Sequence, residues 1–94
     1  MEWTRCKNYI QEYSNGYIGL RHYISITHKT DTNKYHYTYT NNGSLICFGD
    51  FKASNWDDAE RIVTNKIKEY LLDMVKYYNQ MRLDFNAGVN ANDM

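Results

Sequence analysis

Four side chains in this sequence could carry chemistry: Cys47 and the three histidines His22, His28 and His36. A thiol beside an imidazole is a nucleophile with its base. His36 and Cys47 become diagonal neighbours if the stretches 34–40 and 44–52 form a hairpin around Asn42-Gly43 with a two-residue turn. A triad also needs a third group to orient the base and a loop of donors for the oxyanion, and neither is evident. The histidines and Cys47 lack the local spacing of metal sites such as Cys-x-x-Cys pairs. There is no Gly-rich phosphate loop and no Gly-x-Ser-x-Gly. The sequence therefore predicts no enzyme, no metal and no cofactor.

The residue type in excess is tyrosine, ten in 94 residues. Tyr buries a large ring at small entropic cost and keeps a hydroxyl for the rim of an interface. It also suits half-buried strand positions. Tyr35, Tyr37 and Tyr39 alternate with His36, Thr38 and Thr40, so they share one strand face. In the hairpin register, Asn41 pairs with Ser44, Tyr39 with Ile46 and Tyr37 with Phe48. That places the three tyrosines with Ile46 and Phe48 under a covering element. His36, Thr38, Thr40, Leu45 and Cys47 then lie on the opposite face.

The covering element is a helix. From Ser54 to about Phe85 apolar residues recur every three or four positions, at Trp56, Ala59, Val63, Ile67, Tyr70, Met74, Tyr77 or Tyr78, and Met81. Ser54 and Asn55 can cap its first turn. Asp57, Asp58 and Glu60 suit the positive end of its dipole. Asn86-Ala87-Gly88 predicts its end. From Trp56 to Leu83 a helix spans roughly 40 Å at 1.5 Å per residue, and an eight-residue strand only about 26 Å. The C-terminal half, with Met74, Tyr78, Met81 and Phe85, therefore outruns any small sheet and needs a partner. A homodimer through this half is the expectation.

Upstream, residues 2–13 fit a strand or a helix face, with strand preferred because Asn15-Gly16 is a strong hairpin turn signal. Residues 17–29 read as one strand with Ile18, Leu20, Ile24 and Ile26 on one face. His22 and His28 share that parity. The fold predicted is α+β: an antiparallel sheet of three or four strands with one long C-terminal helix across one face. Residues 1–85 form one domain, and 86–94 are a disordered polar tail. In layout alone, the strands followed by Ala53-Ser54-Asn55-Trp56-Asp57-Asp58-Ala59-Glu60 resemble the arm-type DNA-binding domains of tyrosine integrases. They resemble equally the antitoxins built from a small sheet and one helix. The arm-type domains are basic, and no residue is carried over from either.

Formal net charge is zero, so no whole-molecule field draws the chain to nucleic acid or membrane. Two cysteines make no disulfide framework. No leader-like or membrane-length apolar run is present. The expected location is the cytoplasm, that of a host cell if the source is viral. The abundance of Tyr, Asn, Lys and Ile fits an A/T-rich genome. These features give the profile of a small protein-binding module. Inhibitors that phages or other mobile elements use against host defence systems share that profile and act by occupying a partner's surface. The partner-binding residues expected are Arg21, Tyr23, His36, Tyr78 and Phe85. The alternative is a nucleic-acid-binding module using the open sheet face, through Arg21, Tyr23, Lys34, His36 and Lys52.

Overall fold

The computed structural model describes residues 1–92. The chain is α+β: five antiparallel strands followed by one helix. The strands are β1 (Glu2–Lys7), β2 (Gln11–Ile18), β3 (His22–Lys29), β4 (Lys34–Asn41) and β5 (Ser44–Lys52), and α1 spans Trp56–Asn92. Each strand pairs with the next in sequence, giving the order β1-β2-β3-β4-β5.

The fifth strand comes from a turn that sequence patterning misplaces. Asn15-Gly16 does not turn; it sits inside β2, with Gly16 opposite Trp3 on one side and Ile24 on the other. A Cβ at Gly16 would meet the Trp3 ring at 3.1 Å. The glycine is there to let the indole lie over the strand. The turn falls instead at Asn8–Ile10, where the Asn8 side-chain oxygen accepts from the N–H groups of Ile10 (2.9 Å) and Gln11 (2.8 Å). Asn does this because its short side chain mimics a backbone turn. The stretch 17–29 is likewise two pieces, split at Gly19, whose φ of 62° is cheap only for glycine. Ile24 and Ile26 are buried as their parity requires, but Ile18 and Leu20 flank and occupy that turn and are exposed.

Asn42-Gly43 does turn, with φ of 55° and 82°, the left-handed pair that matches strand twist. Asn41 pairs with Ser44 as expected. Beyond it a β-bulge intervenes: Thr40 pairs with Leu45, but Tyr39 pairs with Cys47 and Tyr37 with Gly49. Ile46 is the extra residue, and one extra residue flips the parity of everything after it. The predicted register is therefore corrected. Cys47 and Phe51 join the tyrosines on the helix side, and Phe48 moves to the face of Thr38 and His36.

The helix starts as its caps dictate. The Asp58 N–H donates to the Asn55 side chain (2.8 Å), and the Asp58 carboxylate accepts from the Ser54 N–H (3.0 Å). Its inner stripe, Ala59, Val63 and Ile67, packs on Ile24, Ile26, Tyr35, Tyr37 and Tyr39. Glu60, also buried, ties the edge strand to the helix. It accepts from Arg5 Nη2 (2.6 Å) and Nε (3.0 Å) and from the Ser14 hydroxyl (2.5 Å). The helix does not stop at Asn86-Ala87-Gly88. It continues to Asn92, so the stretch 86–92 expected as a disordered tail is helical, and residues 93–94 lie outside the described region. Past Tyr70, among the residues whose side chains are described, only Met74 is half-buried. Roughly 33 Å of helix, from Leu71 on, projects beyond the sheet and accounts for the 67 × 26 × 19 Å envelope.

Candidate functional site

The five residues expected to bind a partner fall in three places. Tyr78 and Phe85 lie on the projecting helix, both more than half exposed. Arg21 sits in the β2–β3 turn. Tyr23 lies near it on the open sheet face, its ring 4.7 Å from that of Tyr17, its hydroxyl donating to Asn15 (3.1 Å). His36 is on the same face but toward the other end of β4, since Tyr23 pairs with Thr40, four residues or about 13 Å from His36. The structure thus separates Arg21 and Tyr23 from His36, and all three from Tyr78 and Phe85.

The His36–Cys47 pair is not formed. The bulge turns Cys47 onto the helix side, where burial pushes its thiol pKa up and keeps it protonated. His36 instead places Nδ1 2.7 Å from Asp50 Oδ1, with its ring 6.3 Å from Phe48. Among the described residues no three of His, Cys, Asp and Glu are grouped to hold a metal ion.

The other two histidines are structural. His28 stacks on Tyr35 at 4.2 Å and meets the edge of Trp56. Its two nitrogens reach Glu12 (3.1 Å) and the Thr32 carbonyl (2.6 Å). The hydrogen bond from His28, with help from the Trp56 N–H, holds the Glu12 carboxyl below its ordinary pKa. His22 contacts the Tyr39 hydroxyl at 2.5 Å.

Three surfaces remain unexplained by the fold. The first is the seam of the projecting helix. Leu71, Met74, Tyr78, Met81 and Phe85 follow Ile67 in alternating steps of four and three, the heptad spacing of a coiled coil. Val75, Tyr77 and Val89 flank it at the e and g positions, while Leu72 and Leu83 lie on the outer side of the helix, and all five are exposed. The seam continues the buried stripe of α1, and at its root a crevice of about 150 Å³ is lined by Met1, Ile18, Ile24, Ile67 and Leu71 among others.

The second surface is the β2–β3 turn beside that root. Leu20 is fully exposed there, with Ile18 and Tyr17 half-exposed or more. The third lies at the far end of the open face. Lys34 pairs with Lys52, and Lys29 follows His28, which pairs with Tyr35. The three ammonium groups therefore belong to one row across β3, β4 and β5. They line a concavity of about 520 Å³ with Gln11, Thr27, His36 and Asp50.

Sequence reasoning missed Lys29 and Phe48. The Lys29 signal was present in strand parity, but the polar loop after it hid the pairing. Phe48 was hidden by the bulge, which leaves no mark in the alternation.

Fold and surfaces together define a five-stranded meander with a projecting helix. No protein-family model, curated protein or solved structure matches the chain. Among the described residues, no helix is long and apolar enough to cross a membrane.

Proposed function

We propose that the chain is a small non-enzymatic protein-binding module that dimerises through the seam of α1 and acts by occupying the surface of a protein partner. The observation that carries this is the seam itself: an unbroken heptad pattern from Ile67 to Phe85 whose members past Met74 (Tyr78, Met81 and Phe85) stay exposed. Area supports a second copy as its occupant. Tyr77, Tyr78 and Phe85 are 59%, 59% and 71% exposed. At about 150–250 Å² for a fully buried ring, they supply about 280–470 Å² per protomer. Leu71, Val75, Met81 and Val89 bring the total toward the roughly 800 Å² per partner of a specific interface. Patches of this kind are seldom left in water.

The partner protein docks at the root of the seam. Tyr17, Ile18 and Leu20 offer apolar anchors, and Arg21 and Tyr23 offer the charged and aromatic contacts typical of binding hot spots. The activity is steric occlusion, and the class of activity we assign is inhibition, of the kind mobile elements direct at host defence systems.

Light scattering after size exclusion tests the dimer. The expected mass is twice the 11.2 kDa of the chain, reverting to one chain in Met81→Glu/Phe85→Glu with the near-ultraviolet spectrum intact. A monomer at high micromolar concentration refutes it. Capture from nuclease-treated host lysate tests the partner: one stoichiometric protein, lost on Leu20→Glu, is expected. Recovery of nuclease-sensitive material alone refutes the protein reading.

A further inference from the structure

We infer that the Lys29–Lys34–Lys52 row, with His36 and Phe48, is a binding site for single-stranded nucleic acid, separate from the seam and from the turn at its root.

The row is an arrangement folding alone does not favour. Like charges directly opposite in a sheet destabilise it, and Lys34 pairs directly with Lys52. None of the three lysines forms an ion pair among the described residues. Strand spacing of about 4.8 Å places the outer two roots about 10 Å apart, a span suited to neighbouring phosphates. The one acid in the lining, Asp50, lies against His36, so the cluster holds an excess of positive charge. Gln11 and Thr27 add neutral donors on the same wall.

What distinguishes a nucleic acid from any other anion is the aromatic platform beside the lysines. Phe48 is 63% exposed on an open sheet face, and the His36 ring lies 6.3 Å away. Every base offers a face to such rings, whereas the bases of a duplex are already stacked on one another. Thr38, directly opposite Phe48 on β4, adds a hydroxyl to the same face. Zero net charge for the chain does not oppose this, because most of its acids lie on α1 and the lysine row is on the opposite face of the sheet.

Fluorescence anisotropy with labelled 15-mers of U and of dT, a duplex of the same length, and poly-glutamate tests the site on the full chain. Single strands are expected to bind, with a slope of log K against log salt of about −2, the value for three phosphate contacts at about −0.7 each. Affinity should then fall about twentyfold between 50 and 200 mM salt. Lys34→Glu/Lys52→Glu is expected to weaken binding more than tenfold and flatten the slope to about −0.7. Phe48→Ala is expected to weaken it at least fivefold. Both variants change exposed side chains, and circular dichroism verifies their fold. Lys34→Arg/Lys52→Arg should retain binding. No binding at 50 mM salt overturns the inference. So does equal affinity for duplex or poly-glutamate, or binding indifferent to either set of substitutions.

Discussion

Replacing Arg5 by Met removes the two guanidinium bonds to Glu60 while keeping much of the aliphatic stem. Glu60 Oε1 then has no partner, and Oε2 keeps only the Ser14 hydroxyl. The size of the loss follows from where the pair sits. The Glu60 side chain is 9% exposed and that of Arg5 45%. Breaking a fully buried pair costs about 3–5 kcal/mol, and an exposed one about 0–1. This pair lies between, at about 2 kcal/mol. With a urea slope of about 1.5 kcal/mol/M for a chain of this size, the midpoint should fall by about 1.3 M at unchanged slope. The sharper test is the second substitution. In Arg5→Met/Glu60→Met the buried charge is gone, and what remains is a Ser14 hydroxyl without its acceptor, about 1 kcal/mol. The double variant should therefore be more stable than Arg5→Met alone. A double variant less stable than the single, or a single costing below about 0.5 kcal/mol, refutes the account of Glu60 as a buried charge held by Arg5.

Gly16→Val should destabilise the protein by about 2 kcal/mol or more, since its side chain enters the space of the Trp3 ring, and a chemical melt with loss of Trp3 fluorescence protection reads it. Stability should also fall at both ends of the pH scale, read as melting temperature. Glu12 and Asp58 have folded pKa values below the ordinary 4.5 and 3.8, the first through His28, the second through the Ser54 N–H. Their contribution is present above those values and lost as pH falls through the lower folded ones, so Glu12→Gln should blunt the acid limb. Burial raises Tyr35, Tyr37 and Tyr39 above 10. Their contribution holds below pH 10 and is lost as pH rises through the folded values, and an alkaline limb beginning well below pH 10 would contradict this.

The parts of the fold that were legible are those where one local rule acts alone. The α1 start is set by Asn55 and Asp58 within one turn, and Tyr35, Tyr37 and Tyr39 alternate without interruption. Asn42-Gly43 turns because nothing in the tertiary structure overrides it. Asn15-Gly16 carries the same dipeptide signal, but there the cross-strand packing of Trp3 on Gly16 wins over the turn preference. The Ile46 bulge is set by how β5 must twist to bring Phe51 onto Tyr35, a three-dimensional demand with no periodicity. The end of α1 was misread because Gly88 sits on a projecting helix with no close neighbour, where its cost is only about 1 kcal/mol relative to Ala. For the candidate surfaces, the excess of apolar helix over sheet was readable from length, and Lys34 and Lys52 were readable on the open face, but Lys29 was not, since only the register of three strands brings it into their row.

The bulge at Ile46 has a further consequence, for polymerisation. A meander that does not close leaves two bare borders, here β1 and β5, and an unpaired border is a template for another chain's strand. On β5 the hazard is real, because Leu45, Ile46 and Phe48 are all exposed. The extra residue breaks the hydrogen-bonding rhythm near the turn end of that border, so an incoming strand cannot zip along its whole length. On β1 the six residues are short of a full strand and carry Glu2, Arg5 and Lys7. If the dimer proposed above forms, a protein rich in tyrosine and β-branched strands would thereby keep its self-recognition on the helix, where it saturates at two copies, and off the sheet, where it would grow into a fibre.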